Sequence, residues 1–338
     1  MKKALLLLAL SSPSAMAIVG GESLDWRKDF TNMTTMSCTS TLIGGKYLLT
    51  AGHCRGVPNV GFSDSDGTIK DAINILEYHL PPDDGTNQFS PDIAVWELER
   101  AHLTKDIRFV ADLNHDPIRV GDHVTMYGFG GSDLLKKGVS QIADTSGEPH
   151  DLSFLYVSND IGQGVLQGGD SGGPWVNTEG DIIGVSRTVG NDNSMTATRL
   201  APVKDWLSQT VNAWHYPTLA NVNGRETITI QSLHSNPAGV DFSVESNETG
   251  DATIIRDQST CLTKPTVLPF EKCTIVVESN GGEGQIQLSG TEFIELNKPT
   301  PVEPPTPPSA GGGSSGGSMS LFGLLGLFGL GVMRSRKR

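Results

Sequence analysis

Three short motifs in a set order constrain this 338-residue chain more than any other feature. Thr50-Ala51-Gly52-His53-Cys54 comes first, Asp92-Ile93-Ala94-Val95 second, and Gly169-Asp170-Ser171-Gly172-Gly173-Pro174 third. A hydroxyl in a glycine-rich turn, a histidine to take its proton and an aspartate to orient that histidine are the parts of an acyl-transfer triad. Ser171 is a weak nucleophile alone and needs His53 as general base. Asp92 would accept the second ring N–H of His53 and stabilise the imidazolium. The N–H groups of Gly169 and Ser171 must point at one developing oxyanion, so a side chain at Gly169 would obstruct the turn or the substrate carbonyl. Taken singly, each motif has a plainer meaning: a turn, a packed histidine beside cysteine, the start of an apolar strand. Any fold for this chain must unite the three.

In this order, with these flanking residues, the stretch from Ile18 to Trp214 resembles the chymotrypsin-like (trypsin-fold) serine endopeptidases. The resemblance implies an all-β fold: two six-stranded antiparallel β-barrels with the triad in the cleft between them, closed by a C-terminal helix. It also implies that Ile18, which heads Ile18-Val19-Gly20-Gly21, inserts as a new N-terminus and pairs its ammonium with Asp170. By the same resemblance, the floor of the primary pocket would fall at Val165, with walls at Thr188, two residues past Ser186 on the substrate-pairing strand, and at Met195. Trypsin-like members carry an acid at the floor, and Gly164, Val165 and Leu166 supply none. Wide-pocket members carry glycine at both walls. The expected preference at the cleaved bond is therefore for small apolar side chains, as in elastase-like enzymes. Gln167 stands where a cysteine often precedes the nucleophile turn. A shift of that loop by one residue would bring Asp160 or Asp192 to the pocket, and Arg/Lys specificity with it. Hydrolysis of another acyl donor, and a surface adhesin or binding protein on a catalytically dead protease scaffold, are the other readings.

The two ends address the chain. Lys2-Lys3, the apolar run from Ala4 to Leu10 and Ala15-Met16-Ala17 read as a secretory signal peptide over 1–17 with an Ala-x-Ala cleavage site. An oxidising destination makes the four cysteines two disulfides. Of the three possible pairings, Cys38–Cys54 with Cys261–Cys273 is favoured, because the resemblance implies the first as the family's bridge beside the catalytic histidine. At the other end, 298–317 is a Pro/Gly/Ser linker and 318–338 a membrane or sorting segment, apolar from Met319 to Met333 except Ser320 and basic from Arg334 to Arg338. A fifteen-residue segment reaches only about 22 Å as a helix, short of a ~30 Å hydrocarbon core. This tail is similar to the GlyGly-CTERM sorting signal of Gram-negative bacteria. The similarity implies type II secretion machinery and a rhomboid-type processing protease as partners besides signal peptidase, with membrane contact through the tail. An exported location follows, extracellular or on the outer cell surface.

A net charge of −13, with no basic stripe, argues against nucleic acid as a partner. Forty glycines and 6% aromatic residues suit a loop-rich β protein. Short apolar runs between turn residues mark strands at Thr39 to Ile43, Tyr47 to Thr50, Ile93 to Leu98, Val124 to Tyr127, Leu155 to Val157 and Ile182 to Val185. Ala201 to Trp214 has helical spacing and ends the protease region, 18–214. Residues 219–297 form a second region. Its runs at Thr227 to Gln231, Val240 to Val244, Thr253 to Ile255, Thr274 to Val277, Gln285 to Leu288 and Phe293 to Leu296 predict a small immunoglobulin-like sandwich. Nothing there looks catalytic, and a spacer or secretion-recognition module is preferred to a substrate-binding domain. No cofactor is implied and no metal site is expected; Asp64-Ser65-Asp66-Gly67 reads as a solvated turn.

Overall fold

Alternating apolar residues between glycine- and proline-rich turns produce strands, and the strands close into barrels. The computed structural model describes residues 17–35, 37–63, 69–82, 91–145, 155–239 and 247–298. The expected signal peptide (save Ala17), the Asp64–Gly67 turn, the Val240–Val244 strand and the tail beyond 298 lie outside these residues.

A short strand, β1 (Glu22–Leu24), and one turn of helix, α1 (Trp26–Asp29), lead into the first sheet. That sheet contains β2 (Met33–Thr35), β3 (Thr39–Ile43), β4 (Tyr47–Thr50), β5 (Asn59–Ser63), β6 (Ile69–His79) and β7 (Ala94–Leu98). Their order is β2-β3-β4-β7-β6-β5. The two edge strands meet where Thr34 Oγ1 donates to Gly61 O at 2.5 Å, so the barrel is nearly closed. Leu42, Leu48, Val60, Phe62, Ile73, Trp96 and Leu98 fill it, beside the Cys38–Cys54 disulfide.

The second sheet is built from β8 (His123–Gly128), β9 (Leu135–Asp144), β10 (Leu155–Gln163), β11 (Pro174–Val176), β12 (Ile182–Val189) and β13 (Met195–Arg199). These six close on themselves, because β8 pairs with both β11 and β9. The sheet has seven strands rather than six, since β1 pairs with residues 135–137 of β9. Its core runs through Val124, Met126, Phe129, Tyr156, Trp175, Ile183 and Val185 to Ile43, Leu49 and Val95 of the first barrel, so one apolar cluster joins the two.

Helical spacing from Ala201 to Trp214 is realised only in part. A 3-10 turn (Ala201–Val203) feeds α2 (Lys204–Val211), which ends at Asn212 in the left-handed region, φ 40°. Trp214 is not helical. It opens β14 (Trp214–His215), which pairs with β16 (Asn223–Ser232) and packs in the C-terminal core. The remaining strands are β15 (Leu219–Ala220), β17 (Glu248–Gly250), β18 (Thr253–Ile254), β19 (Lys272–Asn280), β20 (Gly284–Gln287) and β21 (Phe293–Leu296). They form two four-stranded sheets, β14-β16-β19-β18 and β15-β21-β20-β17, with β15 parallel to β21. The Cys261–Cys273 disulfide lies in the core that these sheets share. Among the described residues, no helix is long and apolar enough to cross a membrane.

Buried polar side chains fasten this C-terminal portion to the barrels. Gln231 is wholly buried; its Oε1 accepts from Val110 N at 3.0 Å, and its Nε2 donates to Val110 O at 2.5 Å and Phe270 O at 2.9 Å. His215 Nδ1 accepts from Gly44 N at 3.2 Å, which leaves its Nε2–H to donate to Arg108 O at 2.9 Å. Burial pushes the His215 imidazole down to about 4, against a partial lift from the Arg108 carbonyl. An unfolded histidine, with a pKa near 6.5, would take up a proton in the interval where the folded one stays neutral. Stability should thus fall as the pH drops from about 6.5 to about 4, by roughly 3 kcal/mol from this group. Urea-unfolding midpoints at pH 4.5 and 7 should differ less in His215→Gln than in the unaltered protein. Equal differences would show that His215 is not the group responsible.

Candidate active site

His53 lies in the turn after β4, where Cys54 N donates back to Ala51 O at 3.1 Å and the Cys38 disulfide holds the turn to the start of β3. Asp92 immediately precedes Ile93 and β7, the neighbour of β4. Strand pairing therefore brings the two residues together. Asp92 Oδ1 accepts the backbone N–H of His53 at 2.8 Å, and Asp92 Oδ2 meets His53 Nδ1 at 2.8 Å. From the second barrel, Thr198 Oγ1 on β13 donates to the Asp92 carbonyl at 2.9 Å.

The hydrogen bond that His53 donates to Asp92 holds the imidazole above its usual pKa, against burial and the charge of Arg187. Burial alone would raise Asp92, but its bonds to His53, with a smaller contribution from Arg187, hold it below the usual carboxylate value. The pair is built to keep the carboxylate ionised and the ring oriented with Nε2 outward.

Ser171 sits on the loop that joins β10 to β11 of the second barrel. Its carbonyl accepts from Thr39 N at 2.8 Å, and Gly172 N donates to Ser186 O at 2.8 Å. Thr39 Oγ1 also donates to Gly169 O at 3.0 Å while accepting from Phe129 N at 3.0 Å. The N–H groups of Gly169 and Ser171 have no intramolecular partner among the described residues. They remain available to an external oxygen. Gly169 has φ +95°, and a Cβ there would fall 2.1 Å from Gly131 N. The obstruction is thus the neighbouring backbone rather than a substrate. Among the described residues His53 bonds through Nδ1 to Asp92 and not to Ser171 Oγ, a contact that often tightens only when substrate binds.

Asp170 is fully buried and anchors the loop from behind. Its Oδ2 accepts from Gln167 N at 2.7 Å and Ile18 N at 3.2 Å, and its Oδ1 from Gly130 N at 2.7 Å. Val19 and Val165 exchange backbone hydrogen bonds at 2.9 and 3.0 Å, which seats the Ile18 segment in the second barrel.

A cavity of about 200 Å³ beside Ser171 is lined by Leu166, Gln167, Gly168, Ser186, Arg187, Thr188 and Val189, with Asp170. Ser186 and Thr188 were expected here. Val165 and Met195 are not among the lining residues: Val165 is taken up by Val19, and Met195 is fully buried with its Sδ 3.5 Å from Leu166 N. Asp160 and Asp192 do not line it either; Asp160 accepts from Gly162 N, and Asp192 from Ser194. Sequence reasoning missed Arg187 and Trp175, whose Nε1 donates to Ser186 Oγ at 3.0 Å. Nothing local in the sequence marks the strand bulge at Arg187.

Two groups of metal-capable side chains occur among the described residues. Cys38 and Cys54, beside His53, are joined in a disulfide and offer no thiolate. Glu77, His79 and Glu97 lie together, but Lys46 Nζ already holds Glu97 Oε1 at 2.5 Å.

The family model described as Trypsin matches residues 18–207, and the chain belongs to that family. It is thus a chymotrypsin-fold member of the serine proteases, a family of hydrolases acting on proteins and peptides. No curated protein matches it. Among solved structures it is similar to the VesB protease of Vibrio cholerae, at 17% identity and TM-score 0.46 over 82% of this chain and 99% of that one. It is similar also to GrC, at 19% identity and TM-score 0.48 over 56% of this chain and 98% of that one. A third is neuropsin, a serine protease expressed in the limbic system of mouse brain: 18% identity, TM-score 0.44, 53% of this chain and 94% of that one.

The geometry at Gly169 makes a direct prediction. Gly169→Ala cannot keep this turn, so labelling by a fluorophosphonate, which requires an activated serine, should slow by ~10²-fold or more. Circular dichroism should stay unchanged. Labelling at the unaltered rate would show that the Gly169 N–H has no part in the chemistry.

Proposed function

We propose that the chain is an exported serine endopeptidase that works through an acyl-enzyme. The observation that carries this reading is the two-point contact of Asp92 with His53, set beside a serine loop with two unpartnered N–H groups. Ser171 Oγ attacks the scissile carbonyl while His53 Nε2 takes its proton, and Asp92 holds the imidazolium that forms. The Gly169 and Ser171 N–H groups receive the oxyanion. His53 then returns the proton to the leaving amine, and water repeats the cycle to release the acyl group.

The cleft favours small apolar side chains at the cleaved bond. Thr188 narrows the cavity, and its one carboxylate, Asp170, is engaged by three backbone N–H groups. A lysine or arginine side chain would find no counter-ion and would face Arg187, a cost of several kcal/mol. Ser171→Ala should abolish both peptide hydrolysis and fluorophosphonate labelling. Matched peptides should be cut faster after Ala or Val than after Phe or Arg. Equal hydrolysis by Ser171→Ala would refute the mechanism, a dominant preference for Arg would refute the pocket, and absence of labelling in the unaltered protein would favour a binding protein on this scaffold.

Both ends of the chain belong to the same reading. Residues 1–17 serve as a signal peptide, and its removal by signal peptidase directly creates the Ile18 amine without a propeptide. The new ammonium would lie where Ile18 N now meets Asp170 Oδ2 at 3.2 Å. In the uncut chain, burial pushes Asp170 up to about 6, with the bonds from Gln167, Gly130 and Ile18 only partly opposing it. The folded uncut chain then binds a proton that the unfolded one has released, so its stability falls as the pH rises from about 4 to about 6. A cation at Ile18 removes this penalty. The linker 298–317 and segment 318–338 act as a GlyGly-CTERM-type sorting signal in a Gram-negative cell, read by type II secretion and cut by a rhomboid-type protease. Mass spectrometry of the active exported protein should find Ile18 first and Arg338 missing. A start at Met16 would overturn the activation route, and an intact Arg338 would mark a permanent anchor.

A further inference from the structure

A bulge in β12 turns one residue out of the ladder beside the cavity. Ser186 pairs with Ala197 and Thr188 with Thr196, so Arg187 is the extra residue between them. Bulges next to active sites re-aim the side chain they carry. Here the guanidinium Nε stands 3.8 Å from Asp92 Oδ2, the same oxygen that meets His53 Nδ1 at 2.8 Å. The side chains of Arg187 and Asp92 are only 20% and 17% exposed, so water and salt screen the ion pair incompletely.

We propose that Arg187 is a positioning residue for the His53–Asp92 pair, a fixed cation on the shared carboxylate oxygen that keeps His53 available as a base at lower pH than Asp92 alone would allow. The catalytic meaning rests on the peptidase reading above; the coupling itself rests on the geometry. Among the described residues, Asp92 and Arg187 are the charged groups that bear on His53. The Asp92 hydrogen bond strengthens its hold on a proton, while burial and the Arg187 charge weaken it. Arg55, on the same turn as His53, directs its Nε to Gly52 O at 3.0 Å, and the adjoining Cys38 and Cys54 form a disulfide that does not titrate. During attack, the Ser171 proton passes to His53 Nε2 as the Oγ–carbon bond forms and the carbonyl electron pair moves to oxygen. The resulting imidazolium then shares Asp92 Oδ2 with the guanidinium. The charge therefore favours the free base in the resting chain at some expense to the imidazolium.

Mature protein carrying Arg187→Met or Arg187→Lys separates charge from shape. Two readouts are needed: the pH dependence of Ser171 labelling by a fluorophosphonate, and the ring titration of His53 by NMR, assigned through the signal lost in His53→Gln. With Arg187→Met, the acid limb of labelling and the His53 midpoint should both move to higher pH. With Arg187→Lys, both should stay near those of the unaltered protein. Unmoved midpoints in Arg187→Met would overturn the proposal, and so would equal shifts in the two variants, since those would trace to shape. If the unaltered protein is not labelled at any pH, the peptidase reading falls, and the NMR titration still decides whether Arg187 acts on His53.

Discussion

The buried carboxylate of Asp170 ties together three stretches of chain that are distant in sequence. Ile18, Gly130 and Gln167 each donate a backbone N–H to it, and Ser171 is its immediate neighbour. A carboxylate out of water is costly unless its lone pairs are filled, so these donors must stay in place for the loop to keep its shape. Room for this packing comes partly from Gly128, where a Cβ would lie 2.2 Å from Asp170 Oδ1. The position of Ser171, the path of the 130 loop and the seating of the Ile18 segment are thus one problem with one solution.

The barrels are interlocked at the same place. His53 and Asp92 come from the first barrel, while Ser171 and the cavity belong to the second. Thr39 of the first barrel reaches both Gly169 O and Phe129 N, and Thr198 of the second reaches Asp92 O. Each half of the site is therefore held partly by the opposite barrel. Movement between the barrels would cost these bonds and the shared apolar cluster, which favours a cleft set before substrate arrives.

The C-terminal sheets extend the same construction away from the cleft. Gln231, His215 and Thr218 meet backbone groups of residues 44 and 102–110, and Lys272 pairs with Asp181 at 2.7 Å. Removing a partner from such buried contacts would leave unsatisfied amides and carbonyls. Through Gln231 the sheets meet Val110, in a stretch joined to Ile182 by the backbone bonds of Phe109 and Ala111.

Much of this was legible in the residues. The order of His53, Asp92 and Ser171, the strands at Thr39–Ile43, Tyr47–Thr50 and Phe293–Leu296, and the two disulfide pairings all stand in the structure. Such features are local in pattern or were carried by a family resemblance, so they can be read along the chain. Trp214 in a strand rather than a helix, β1 as a seventh strand, Val165 and Met195 outside the cavity lining and Arg187 on its bulge were not legible. Each depends on which partner lies across a ladder or beneath a side chain, and a single residue of register shift reverses the face that a side chain occupies. The chain by itself determined which groups could do the chemistry. The tertiary structure decided which of them share a charge, because distances across barrels are set by packing between segments that carry no local mark of one another.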